Sequence, residues 1–248
     1  MRISHLFILL AASAMLTACD FLDEYNPNSV TVGNYYTSEE DIVASLNGVY
    51  TSLTQSYVAD NYHYFTDVRA NATVVTNSGA NSGIPYQFYN YTLTEENQYV
   101  YNRYTQLFKS ISRVNTLLSH LDDVTYSASE ARDTYEAEAR FVRALTYFHL
   151  VTEWGDVPLV LERLDSKDEV AANNYRRPKA QIYKAIFDDL DFVLDSPLAD
   201  FQPASECGRA SKAAALALYG KAALQCACDE DFASEKSSYL TTAIEKLT

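Results

Sequence analysis

Glycine and proline are scarce, seven and six residues in a chain of 248. That is too few for the turns of a β-rich protein. Basic residues are scarce as well. Nineteen Lys and Arg stand against thirty-three Asp and Glu, a net charge of −14. Such a surface repels phosphate backbones and argues against nucleic acid as a partner. The four histidines form no pair at metal-ligand spacing, and neither Gly-x-Ser-x-Gly nor a P-loop occurs. Beyond Leu16 no run is apolar enough to cross a bilayer.

What is present begins at the N-terminus. Arg2 precedes an apolar run from Leu6 to Leu16, broken only by Ser13. As a helix it would rise about 16 Å, roughly half a bilayer core, so it fits a secretory signal and not a span. The run closes on Leu-Thr-Ala-Cys19, the form of a lipoprotein signal. An ordinary signal has no reason to place a cysteine after its cleavage site, so Cys19 is read as the lipidated first residue of the mature chain. Loss of Arg2 with the signal takes the net charge to −15. The roughly 230 residues that follow are enough to bury a substantial core. Of the four cysteines, Cys207, Cys226 and Cys228 remain, an odd number. Cys226-Ala-Cys228 is spaced too tightly for zinc and reads as small apolar filling. No metal and no cofactor are assigned.

Helical periodicity fills the rest. Thr37-Ser-Glu-Glu40 reads as a capping box before Ile42, Leu46, Val49 and Leu53. The 3–4 spacing continues through Tyr104, Leu107/Phe108, Ile111, Val114 and Leu117/Leu118 in the helix from Tyr99 to Leu121. The strongest helix runs from Ala128 to Trp154, with Ala137, Phe141, Ala144/Leu145, Phe148 and Val151 inward and the Glu136–Arg140 pair on the solvent side. Gly155 and Pro158 end it. Further helices are expected after Pro178, with Ile182, Ile186, Leu190 and Leu194 inward, and over Ser211–Cys228 and Ser237–Leu247. Asp20–Thr37, Asn71–Pro85 and Leu164–Arg177 read as irregular. Successive helical pairs predict a mainly α, tetratricopeptide-like repeat fold.

Several blocks are similar to those of the SusD/RagB family of outer-membrane nutrient-binding lipoproteins. They are Cys19-Asp-Phe-Leu-Asp23 with Pro27, Ser38-Glu-Glu-Asp41, Leu46-Asn-Gly-Val-Tyr50 and Tyr104-xxx-Phe108-xx-Ile111-xxx-Asn115. The most specific stretch is Glu138-Ala-Arg-Phe-Val-Arg-Ala-Leu-Thr-Tyr-Phe-His-Leu150, followed by Trp154-Gly-Asp-Val-Pro158. Arg176-Arg-Pro, Ile182-Tyr183 with Asp189-Leu190, and Gly208-Arg-Ala-Ser-Lys-Ala-Ala214 complete the series. Tyr104 stands where the family usually has Trp, and Thr248 falls about halfway along a typical member, which predicts a truncated chain. The expected organisation is a signal peptide over 1–18, a lipidated tether over 19–37 and a SusD-like N-terminal helical domain over 38–248.

The resemblance implies a lipid-anchored, surface-exposed outer-membrane protein that holds oligosaccharide and delivers it to a SusC-like TonB-dependent transporter. It also leaves open a peptide-binding branch, and the helices alone are compatible with a repeat scaffold that binds only protein. Sugar rings stack their C–H faces on aromatic planes while their hydroxyls seek amides and charges. The aromatic segment Ile84–Tyr101 suits that chemistry. Tyr86, Tyr89, Asn90 and Tyr91, with Asp67 and Arg69 upstream, are the candidate ligand residues. The competing reading makes the tyrosines one face of a packed strand and Asp67 with Arg69 a surface ion pair, while Tyr62, Tyr64 and Phe65 are read as core. The resemblance also implies that part of the ligand site lies in the second half of a family member. An enzyme is not expected. Glu136 and Glu138 point apart on their helix, and Asp188, Asp189 and Asp191 lie on a polar face.

Overall fold

A computed structural model describes residues 35–55, 62–74 and 83–248. The lipoprotein signal, Cys19, nearly all of the tether and the centre of the Asn71–Pro85 loop lie outside the described residues. Residues Tyr36–Thr248 form one compact unit.

Eight α-helices follow one another among the described residues: α1 Glu39–Thr54, α2 Tyr86–Tyr89, α3 Gln98–Ser119, α4 Ala131–Trp154, α5 Lys167–Asn173, α6 Lys179–Asp195, α7 Lys212–Cys228 and α8 Lys236–Leu247. A π-helical turn, Tyr64–Val68, precedes α2. No strand forms among the described residues, only the bridge between Val157 and Arg177. α1 packs on α3 and α4, α3 on α4, α4 on α6, α6 on α7 and α7 on α8. Neighbour-to-neighbour stacking of this kind is the tetratricopeptide-like arrangement that the periodicity predicts.

Local chemistry sets the boundaries. The cap of α1 is Ser38 and not Thr37. The Asp41 carboxylate accepts from the amides of both Thr37 and Ser38, at 3.1 and 3.0 Å, and the Ser38 hydroxyl accepts from the Asp41 amide. The box is shifted one residue because an aspartate at N3 reaches back as well as a glutamate would. α4 ends where Gly155 takes φ +72°, a conformation glycine adopts without steric cost. The Leu164–Arg177 segment, expected to be irregular, contains α5, held by its own Ser166–Glu169 capping box.

Two apolar clusters form the core. One joins Ile42, Leu46 and Val49 to Val114, Leu117, Ala139 and Val142. The other runs through Leu107, Ile111, Leu150, Ile182, Ile186, Leu190, Ala215, Ala222 and Cys226. Phe148 is buried, while Phe141 is half-buried and flanks both clusters. Cys226 is buried as expected, whereas Cys228 is exposed.

Glu136 and Asp189, expected on solvent faces, are buried, and so is Glu138. Glu136 is held by Arg132 and Arg140, and Asp189 by Arg143 at 2.7 Å. Glu138 accepts from the Tyr50 hydroxyl at 2.6 Å and from Arg209 at 3.0 Å. The reason is common to all three. Each faces an arginine from a neighbouring turn or element, which offsets the cost of burying the charge. Arg143 also donates to the Asn115 side chain and to the Leu161 carbonyl, and Asn115 donates to the carbonyls of Val160 and Glu162. The Tyr147 hydroxyl completes the grip on Val160, accepting from its amide at 2.7 Å.

Candidate ligand-binding site

The candidate residues come from the π-helical turn and the α2 region, and a buried ion pair holds the ground beneath them. Arg103 lies on the inward stripe of α3, four residues before Leu107 and eight before Ile111, and is fully buried. Its guanidinium meets both carboxylate oxygens of Glu153 at 2.5 Å. The same group lies 4.5 Å from the ring centre of Tyr62 and 5.2 Å from that of Phe65. Such cation–π contact ties the residues around the turn to the α3–α4 pair. Burial works to raise the Glu153 carboxyl, but hydrogen bonds from Arg103 and His149 and the Arg103 charge outweigh it, and it stays below the usual range. Burial lowers His149, against its contact with Glu153.

Above this base, Phe88 is fully buried, its ring centre 4.8 Å from that of Phe65 and 5.7 Å from that of Tyr64. Phe88 therefore anchors α2. The segment is a helical turn and not a strand, so Tyr86 and Tyr89 fall on one side, with ring centres 5.7 Å apart, both half-buried. Asn97 closes the segment. Its buried amide donates to the Ile84 carbonyl and the Gln87 side chain, and its oxygen caps α3 at Tyr99 and Val100.

Tyr91 sits between. Its φ is +56°, its surface is 67% exposed, and its hydroxyl donates to the Arg69 carbonyl at 3.0 Å. An aromatic residue rarely adopts a left-handed backbone. Arg69 in turn lines a cleft of about 220 Å³ with Phe65, Leu93, Thr94, Val100, Glu153 and Trp154. Asp67 and Asn90 are exposed, and no ion pair joins Asp67 to Arg69. The structure thus joins Arg69 to Tyr91 and Tyr86 to Tyr89, and leaves Asp67 and Asn90 as separate surface groups. Tyr62, Tyr64 and Phe65, expected in the core, are only half-buried.

A second cleft, of about 230 Å³, opens between α3 and the segment 158–174. Tyr104 and Phe108 lie on its α3 side, 4.8 Å apart between ring centres.

A family model described as starch-binding, associating with the outer membrane, matches residues 20–224. This chain belongs to the SusD-like family. A SusD-like protein of Formosa agariphila is 26% identical over 235 residues, which are 91% of this chain and 44% of that protein. A SusD-like protein of Bacteroides ovatus is 24% identical over 230 residues, 88% of this chain and 38% of that protein. The chain therefore spans less than half the length of the curated relatives it matches. Among solved structures, a laminarin-binding SusD-like protein superposes with a TM-score of 0.68 at 26% identity, over 80% of this chain and 42% of that one. A SusD homolog from Bacteroides thetaiotaomicron gives 0.70 at 23% identity, over 87% and 41%, a likeness of fold alone.

Within this SusD-like chain the family-type blocks are mostly scaffold. Asn115, Arg143 and Asp189 tie the segment after α4 to three helices, and Tyr50 with Glu138 and Arg209 ties α1 to α4. Glu153 and Trp154, which line the candidate cleft, and Arg103, which holds Glu153, are not among the candidates named from the sequence. The available signal was a charged residue at an inward helical position, Arg103 in register with Leu107 and Ile111.

Proposed function

We propose that the chain is the glycan-contacting part of a lipid-anchored surface protein, with Tyr91 as the central stacking residue. Tyr86, Tyr89 and Asn90 extend the platform, while Arg69 and Asp67 offer hydrogen bonds to hydroxyls. The observation that carries this reading is the exposed Tyr91 in a left-handed backbone, beside a cleft that holds two more aromatic rings and a carboxylate. Strain of this kind persists where the surroundings enforce it, and it concentrates at functional sites. A tyrosine that only filled a core would be buried and unstrained. The same reading takes Cys19 as the lipid anchor, residues 19–37 as the tether, and a SusC-like TonB-dependent transporter as the recipient of the ligand. It also makes the protein a binder and not an enzyme. The buried carboxylates Glu136, Glu138 and Asp189 are consumed by arginines and none faces the Tyr91 cleft.

The deciding experiment is a binding assay with laminarin and malto-oligosaccharides on single Tyr86→Ala, Tyr89→Ala and Tyr91→Ala variants. Tyr91→Ala should weaken binding by about 1 kcal/mol or more, while its stability stays within about 0.5 kcal/mol of the parent. Unchanged binding in all three variants would sink the platform, and binding of peptides alone would favour the peptide-binding branch.

A further inference from the structure

The second cleft suits a different ligand from the first. Its floor is apolar, built from Tyr104, Phe108 and Ile111 of α3 with Pro158, Val160 and Leu164 opposite. Its rim is polar. Ser112, Glu162, Asn173 and Asn174 all line it. The Glu162 carboxylate and the Asn174 amide make no hydrogen bond or ion pair among the described residues, and Asn173 uses only its amide nitrogen, on the Glu169 carbonyl. The rim's single cation is already occupied. Arg163 meets Asp165 at 2.6 Å and the His120 ring nitrogen at 2.7 Å. Helix α5, which carries Asn173, buries none of its residues, although Val170 faces the cleft half-exposed.

Each feature narrows the ligand. A volume of about 230 Å³ is below the range of roughly 300–1,000 Å³ that holds a drug-sized molecule, so the cleft takes one ring and not a helix face. Arg163 is engaged, and the Arg176 charge acts on the Tyr104 hydroxyl from outside the lining. An unpaired carboxylate beside amides and a hydroxyl offers both acceptors and donors, which a purely apolar guest would leave desolvated at a cost. We propose that this cleft is a second binding site, distinct from the Tyr91 cleft, for a single pyranose ring. The ring's C–H face lies on Tyr104 and Phe108, and its hydroxyls donate to Glu162 and exchange hydrogen bonds with Asn173 and Asn174. The proposal stands whether or not the tyrosine platform binds oligosaccharide.

The test titrates the protein separately with glucose, galactose, mannose and N-acetylglucosamine, to ~100 mM, because a single ring binds in the millimolar range. Fluorescence of Trp154, the chain's single tryptophan, follows the event, since its ring lies 5.3 Å from that of Tyr104. At least one sugar should saturate, and Glu162→Ala and Asn174→Ala should each weaken it about fivefold, the loss of one hydrogen bond. Both residues are exposed, so the variants should fold. Absence of saturation with all four sugars, or unaltered affinity in Asn174→Ala, overturns the proposal. Trp154 also borders the Tyr91 cleft, so Tyr91→Ala is included. If that variant loses the sugar and Asn174→Ala does not, the ring belongs to the first cleft and the proposal fails.

Discussion

Arg103 has no contact with solvent, and Glu153 is its counter-ion. Removing one partner of such a pair leaves the other buried and uncompensated. Arg103→Met should therefore cost about 3–5 kcal/mol in urea unfolding, whereas truncating an exposed ion pair such as Lys184–Asp188 should cost under about 1 kcal/mol. Equal costs would mean that Arg103 is solvated. The pH dependence follows from the same cluster. His149 is held below its ordinary value, so as pH falls through about 6.5 the unfolded chain takes up its proton before the folded one does, and stability drops. Glu153 is also lowered. Its stabilisation is complete above the unfolded carboxylate value of about 4.3 and is lost as pH falls through the folded one. His149→Gln should flatten the upper limb of a stability–pH curve and leave the acid limb standing. The thiols provide another check. Burial is the main cause that pushes Cys226 up to about 12, so alkylation of the native protein should label Cys207 and Cys228 first. At this scale the sequence was partly readable. Tyr91, Arg69 and the Tyr86–Tyr89 pair could be nominated from aromatic crowding. The left-handed backbone of Tyr91 and the burial of Glu138 and Asp189 could not, because each depends on a partner from a distant turn.

Helices were the most legible elements. Apolar spacing alone locates α1, α3, α4, α6 and α8, since each buries one stripe and solvates the other. The stripe has a measurable consequence in α4. Phe148 is 4% exposed, so Phe148→Ala should cost about 3–5 kcal/mol, and the half-buried Phe141 less. Helix α5 was missed because it has no buried stripe at all, and only its capping box betrays it. That difference separates two similar substitutions. Ser38→Ala, at the head of a helix built into the core, should lower global stability by about 1 kcal/mol. Ser166→Ala should leave the melting temperature unchanged and make the segment 166–174 a preferred protease site, because little else fixes that helix. A melting shift of the same size in both would show that α5 is coupled to the core.

For the whole molecule, helical stacking makes stability a sum of neighbour contacts. Anchorage is a separate matter, and the proposed reading assigns it to Cys19. Cys19→Ala should yield a protein without lipid, recovered uncleaved or released from the membrane fraction, and an unmodified mature N-terminus in the parent would refute the anchor. The segment after α4 is held by α3 and α4. Its Val160 amide and the carbonyls of Val160, Leu161 and Glu162 have no sheet partner, yet Tyr147, Asn115 and Arg143 satisfy all of them from α3 and α4. In hydrogen-exchange terms this loop should not behave as a loop. The Val160 amide is held by the Tyr147 hydroxyl of α4, so its exchange should be slower than that of the amides of α5, whose residues are not buried.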